Sequence, residues 1–250
     1  MSFVDQFERK EFKYYIPTEF MENLRTRLLA HMVYDEYCLR LPDLSYPVRS
    51  IYLDTRNRLF YYEKLESVKV RKKLRVRTYD SETAKKVVFL EIKRKIGKAV
   101  FKERAVIPFA EMDKVITGES ITLLHPEIYT QQAALKKFTY LVNKLHLEPV
   151  VLITYEREAF QGIDDPTLRI TFDKSVRSHM TTTLDDLLME KDLRTVTDVH
   201  FILEVKFSRQ MPLWLRGIIR DLRLRLQSIS KYCDGIEVWG EGEAMEKESA

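Results

Sequence analysis

Glycine is scarce in this chain, with 7 in 250 residues. The one Gly-Lys pair, Gly97-Lys98, is followed by Ala99 and has no glycine five residues before it, which excludes a P-loop. Cysteine is rarer still. Cys38 and Cys233 are the complete set, too few for a disulfide framework and outside any CxxC metal pattern, so a reducing, cytoplasmic setting is expected. No window approaches the roughly 18 uninterrupted apolar residues of a membrane helix. The opening run MSFVDQFERKEF lacks an apolar h-region and predicts no secretory signal. None of the five histidines belongs to an HExxH pair, and neither a GxSxG elbow nor a kinase HRD-to-DFG series occurs, which removes three common enzyme classes. Fixed-period repeats and low-complexity linkers are missing too. One continuous domain is expected over residues 1–240, followed by a disordered tail, EGEAMEKESA, at 241–250.

What the chain does have is patterned charge. Lys plus Arg exceed Asp plus Glu by 42 to 38, a net of only +4, so placement matters more than amount. Four stretches alternate basic and apolar residues at a spacing of two: KKLRVRTYD (72–80), VVFLEIKRK (87–95), AVFKERAVI (99–107) and FILEVKF (201–207). Successive strand side chains point to opposite faces, so Arg75 and Arg77 share one face while Leu74 and Val76 share the other. The same reading sets Glu91 and Lys93 opposite Leu90 and Ile92, and Glu204 and Lys206 opposite Leu203, Val205 and Phe207. A sheet with one apolar and one mainly cationic face follows.

Around these strands, RKEFKYYI (9–16) reads as a first strand and Pro17 opens a helix reaching about His31. VRSIYLDT (48–55) is a strand and RLFYYEKLES (58–67) a short helix. Residues 109–147 form a helical middle, with Leu135, Phe138, Leu141, Val142 and Leu145 at helical spacing. Strands return at 149–160 and 167–176, and TTTLDDLLMEKDL (181–193) is a capped helix or an irregular connection. Pro212 begins an amphipathic helix with Leu215, Ile218, Leu222 and Leu226 on one side. Hairpin-like connections outnumber crossovers, which predicts an α+β fold with an antiparallel sheet.

The period-two bookkeeping extends to Lys102 and Arg104, to Tyr155 and Arg157, and to Arg169 with Asp173. Arginine's planar fork matches phosphate oxygens bidentately, lysine adds a mobile point charge, and a few carboxylates suit a hard divalent ion that bridges phosphates. A wet sheet face with ordinary solvated charges is the plain alternative. Repeated cation pairs on several strands favour an anion site, because like charges on adjacent strands repel unless neutralised. The arginines of the 212–226 helix, Arg216, Arg220, Arg223 and Arg225, argue little for nucleic acid, since few aromatics interleave with the strand cations.

The ordered runs RKEFKYYI, VRSIYLDT, KLRVRTYD, VFLEIKRK, VFKERAVI, TYEREAFQG, LRITFD, FILEVKF and SISKY, spanning residues 9–232, resemble the polyphosphate polymerase domain of the vacuolar transporter chaperone family, a branch of the triphosphate tunnel metalloenzymes. The resemblance implies an antiparallel β-barrel forming a tunnel lined with basic residues, with helices packed outside. It implies a metal-dependent enzyme that transfers the γ-phosphoryl group of ATP to a phosphate or polyphosphate chain, with a membrane partner open. Carried over by position, Arg75, Arg77, Lys93, Arg157 and Arg169 are the expected catalytic cations. Lys13, Lys102, Arg104, Tyr155, Lys206, Ser230 and Lys231 are the expected phosphate contacts. Glu204 and Glu91 are the expected ligands of Mn²⁺ or Mg²⁺. The superfamily's triphosphatases carry ExExK in the first strand, whereas this chain has Arg9, Glu11 and Lys13 at those same-face positions. That departure favours the polymerase branch; a triphosphatase and a non-catalytic polyphosphate or nucleotide sensor stand as alternatives.

Overall fold

The computed structural model describes residues 10–79, 87–97, 99–208 and 210–240. Arg9 and the 241–250 tail lie outside the described residues. Among these residues ten strands run in chain order as β1 (Lys10–Pro17), β2 (Met32–Tyr34), β3 (Tyr46–Asp54), β4 (Val70–Thr78), β5 (Val87–Ile96), β6 (Ala99–Pro108), β7 (Glu148–Gly162), β8 (Arg169–Met180), β9 (Arg194–Thr195) and β10 (His200–Phe207). The α-helices are α1 (Met21–Leu29), α2 (Glu36–Leu39), α3 (Leu59–Leu65), α4 (Lys114–Thr117), α5 (Tyr129–Leu145), α6 (Leu213–Asp221) and α7 (Lys231–Glu237). The fold is α+β and its registered strand pairs are antiparallel, as the hairpin-like connections predict. Two compact units divide the chain, one made of Met1–Tyr46, Glu156–Val176 and Thr197–Ile229, the other of Pro47–Tyr155, Arg177–Val196 and Ser230–Ala250.

In the first unit β1 pairs with β10, β10 with β8, and the hairpin partner β7 carries β2 on its end. The alternation in β10 sends Phe201, Leu203, Val205 and Phe207 to one face. There they pack with Ile16, Ile170 and Phe172 and with Leu24 and Leu28 of α1 and Leu215 and Ile218 of α6. The apolar periodicity after Pro212 continues to Leu226, but α6 ends at Asp221. Arg223 turns left-handed at φ 50°, and Leu226 is exposed.

The second unit is built on the order β3-β4-β5-β6, with β3 also flanked by β7. Gly97, at φ +57°, makes the tight turn between β5 and β6, a backbone conformation that a side chain disfavours. Leu74, Val76, Leu90, Ile92 and Ala105 form the apolar face of this sheet. Helix α5 lies over β5 and β6 and inserts Ala134, Phe138, Leu141 and Val142 at the expected spacing. It stops at His146, which takes the left-handed conformation and donates its N–H to Val142 O. Between Gly118 and Ile128 the chain is irregular, so the 109–147 segment is less helical than its apolar pattern suggests. The 181–193 segment holds only a short 3₁₀ turn at Asp185–Leu188.

Among the described residues neither unit closes its strands on themselves, so the barrel expected from the sequence is not formed within either one. The outer edge of β6 is occupied instead, where Leu124 N donates to Val106 O (3.2 Å) and Val106 N donates to Gln131 Oε1 (3.1 Å). On β1, Gln227 N donates to Lys13 O. No helix among the described residues is long and apolar enough to cross a membrane.

Candidate phosphate-binding faces

Strand register turns the period-two pattern of the second unit into rows. Tyr52, Arg75, Glu91 and Arg104 lie side by side across β3 to β6. Lys73, Lys93 and Lys102 form the next row, and Ser50, Arg77 and Phe89 the row on the other side. A solvated face does not describe this surface, because Glu91 is 1% exposed and Arg77 4%. Burying so many cations is costly unless each is paired and hydrogen-bonded.

The pairing is concentrated on Glu91. Arg75 Nε donates to its Oε2 at 2.7 Å, Arg104 Nε to its Oε1 at 2.8 Å, and Lys102 Nζ reaches Oε1 at 2.8 Å; Arg77 Nη1 lies 3.9 Å from Oε2. Burial alone would raise the Glu91 pKa. The charges of Arg75, Arg77, Lys102 and Arg104 outweigh it and hold the carboxyl far below the usual range. Three tyrosines fix the arginines from outside. Tyr52 accepts from Arg75 (3.0 Å), Tyr155 from Arg77 (3.3 Å) and Tyr79 from Arg104 (2.6 Å), while Ser50 Oγ accepts from Arg77 Nε at 2.8 Å.

The start of α7 joins the same face. Ser230 caps that helix by accepting from Cys233 N (3.2 Å) and also accepts from Lys73 Nζ at 2.7 Å. Lys231 Nζ sits 4.9 Å from the Tyr155 ring centroid, and Lys73 Nζ 5.7 Å from that of Tyr232. The expected residues Arg75, Arg77, Lys93, Lys102, Arg104, Tyr155, Ser230, Lys231 and Glu91 are therefore gathered within one unit. Lys73, Tyr52, Tyr79 and Ser50 join them unforeseen. Lys73 was within reach of the sequence pattern, being two residues before Arg75; the tyrosines and Ser50 needed the strand register.

The first unit carries a smaller, mixed face. Lys13, Glu204 and Thr171 form one row across β1, β10 and β8, and Glu11, Lys206 and Arg169 the next. Glu204 is 5% exposed, with Lys13 Nζ 3.2 Å from Oε1 and Lys206 Nζ 2.9 Å and Arg157 Nη2 3.6 Å from Oε2. Arg157 also grips the fully buried Asp173 through Nε (2.6 Å) and Nη2 (2.8 Å). Lys13 Nζ reaches Glu11 at 3.3 Å. Thr171 is buried, and its hydroxyl has no hydrogen-bond partner among the described residues. Arg169 is drawn to Asp35, the N-cap of α2, at 3.0 Å. Asp35 was not foreseen; its one sequence signal is the capping pattern before a short helix.

The two carboxylates expected to hold a divalent metal differ in chemistry. Four cations surround Glu91, and a further doubly charged cation does not fit there. Glu204 is met by three cations, Lys13, Lys206 and Arg157, but it shares Lys13 with the Glu11 carboxylate, and the two together carry the hard oxygen donors that Mg²⁺ or Mn²⁺ takes. Among the described residues no group of three His, Cys, Asp or Glu side chains is placed to hold an ion alone. An ion there would draw its remaining ligands from water and phosphate oxygens.

Residues 8–240 match the family model described as the VTC domain. The chain is 26% identical over 203 residues to vacuolar transporter chaperone complex subunit 4 of Trypanosoma brucei brucei, an alignment that covers 68% of this chain. It spans only 26% of that relative's length. Among solved structures it is similar to the PH1819 protein of Pyrococcus horikoshii, at TM-score 0.47 and 14% identity over 92% of this chain and 98% of the other. The mimivirus capping enzyme triphosphatase gives TM-score 0.35 and 9% identity over 86% of this chain and 89% of the other.

Proposed function

Because the chain belongs to the VTC domain family, we propose that it is a phosphotransferase that moves the γ-phosphoryl group of ATP onto a phosphate or polyphosphate chain. The observation that carries this reading is the row Arg75-Glu91-Arg104 with its lysine neighbours, where one buried carboxylate faces several cations and phosphate groups would supply the missing negative charge.

In the proposed reaction an acceptor phosphate oxygen attacks the γ-phosphorus, a new P–O bond forms, and the bond to the β-phosphate oxygen breaks to release ADP. No protein nucleophile is needed, and catalysis rests on alignment and charge neutralisation. Arg75 and Arg77, held by Tyr52, Tyr155 and Ser50, present fixed forks to phosphate oxygens, while Lys93 and Lys102 supply point charge. In the first unit Lys13, Arg157 and Lys206 are the phosphate contacts, with Arg169 joining them once released from Asp35. Glu204 would hold Mn²⁺ or Mg²⁺, whose chemistry is to neutralise charge on the phosphate oxygens.

Purified protein incubated with ATP and Mn²⁺ is expected to yield acid-labile phosphate chains, visible as a ladder on a gel. Arg75→Ala is expected to lower the rate by about a hundredfold or more. Products limited to ADP and orthophosphate would overturn the polymerase reading in favour of a triphosphatase. A polyphosphate sensor is the second reading, favoured by the small number of carboxylates around Glu204. Tight polyphosphate binding that survives Glu204→Gln, with no turnover in the unsubstituted protein, would establish it.

A further inference from the structure

We infer that Glu91 is a built-in counter-anion that competes with phosphate for the cationic face, and so keeps the affinity for each phosphate group low. This inference rests on the phosphate-binding reading of the same face. It departs from the expectation that Glu91 holds a metal, because its oxygens already face Arg75, Arg77, Lys102 and Arg104.

The cations divide into two kinds. Arg75 and Arg77 are largely buried and locked to tyrosine and serine hydroxyls, so they stay in place whatever occupies the face. Lys102 stands on the outer strand β6 with its side chain 49% exposed, whereas Arg104 beside it is held to the Tyr79 hydroxyl as well as to Glu91. Rotation about the long stem of Lys102 is enough to carry its charge from Glu91 to an incoming oxygen. With no ligand, the carboxylate keeps four converging cations from repelling one another. With a ligand, it becomes the competitor.

Competition of this kind lowers the affinity of any phosphate that recruits Lys102. Orthophosphate brings little more charge than the carboxylate it must match, and gains little by drawing Lys102 away. A triphosphate meets the same cost, but its other phosphates also engage the neighbouring lysine row. The weakening comes from a residue that need not touch the ligand.

Isothermal titration calorimetry with tripolyphosphate and with orthophosphate, both in the presence of EDTA, tests this in the unsubstituted protein and in Glu91→Gln. The variant is expected to bind orthophosphate and tripolyphosphate each about tenfold tighter, the value of one lost competing ion pair. Unchanged or weaker binding in EDTA overturns the inference, as does a loss confined to Mn²⁺-containing buffer, which would make Glu91 a metal ligand. If the unsubstituted protein binds neither anion, the phosphate-binding reading itself fails. Should Glu91→Gln not fold, Glu91→Asp decides: drawing the charge back by one methylene is expected to tighten orthophosphate binding several-fold, and no gain overturns the proposal.

Discussion

Tyr232 donates its hydroxyl hydrogen to Asp54 Oδ2, and the Asp54 carboxylate also accepts from the backbone N–H groups of Thr55 (2.7 Å), Phe60 (3.0 Å) and Tyr61 (3.1 Å). One buried carboxylate thereby ties the first turn of α3 to the first turn of α7. Tyr232 also stacks on Tyr52, 5.1 Å between ring centroids, and Tyr52 holds Arg75. Tyr232→Phe is expected to cost about 1 kcal/mol, the net worth of one hydrogen bond. Asp54→Ala strands several buried donors and is expected to cost roughly 3 kcal/mol or more. Urea midpoints at constant slope check both, and equal losses from the two variants would contradict the assignment.

Gly235 has no room for a side chain. A Cβ there would overlap the buried Ile153 side chain and press on Ser178, whose hydroxyl donates to Gly235 O at 2.8 Å. Gly235→Ala is expected to destabilise by roughly 1–3 kcal/mol and to shift α7. Since Ser230 and Lys231 begin that helix, tripolyphosphate affinity is expected to fall in proportion. Calorimetry on the folded variant measures it; full stability and affinity would refute the close packing.

Thr171 separates stability from binding. Its buried hydroxyl has no partner among the described residues, although it shares a row with Glu204 and Lys13. Thr171→Val removes that desolvated group with little change of shape and is expected to raise stability by about 1 kcal/mol. If the hydroxyl serves a phosphate, the same variant binds tripolyphosphate several-fold more weakly. A stability gain with unchanged affinity would reduce Thr171 to a structural residue.

Burial would raise the phenol pKa of Tyr52, but Arg75, Arg77 and Lys73 bring it down to about 8. Tyr79 is likewise lowered to about 8, where burial and Glu91 are overcome by Arg77, Arg104 and Lys102. The unfolded chain holds these protons to about pH 10, so this pair is expected to add stability as pH rises from about 8 to about 10. Each phenolate also neutralises part of the cationic face, so tripolyphosphate affinity is expected to fall over the same window. Absorbance near 295 nm should show a tyrosine transition at about pH 8 that disappears in Tyr52→Phe/Tyr79→Phe; ordinary titration near 10 would contradict the electrostatics.

Strand faces were legible in the sequence because alternation is local. Arg75, Glu91, Lys93, Lys102 and Arg104 share a face as their spacing requires, and the register adds only which of them are neighbours. Contacts that depend on distant pairing were not legible: Lys73 meets Ser230 across 157 positions, and Asp54 meets Tyr232 across 178. The convergence of Arg75, Arg77, Lys102 and Arg104 on Glu91 needed the register as well, since a carboxylate in a cationic pattern does not name its partners. Helix α6 erred in the opposite sense. Its apolar period runs on to Leu226, while the left-handed turn at Arg223 is set by tertiary packing that no local pattern records.

Each compact unit is assembled from three separated segments, and three of the five boundaries fall inside strands: β3 between Tyr46 and Pro47, β7 between Tyr155 and Glu156, and β8 between Val176 and Arg177. No single cleavage point releases either unit intact. Limited proteolysis, gene truncation at one site or fusion of one half to a reporter each leaves at least one unit with a segment missing or a foreign segment attached. Dissecting this chain requires co-expressed fragments that reassemble, or point substitutions in the whole polypeptide.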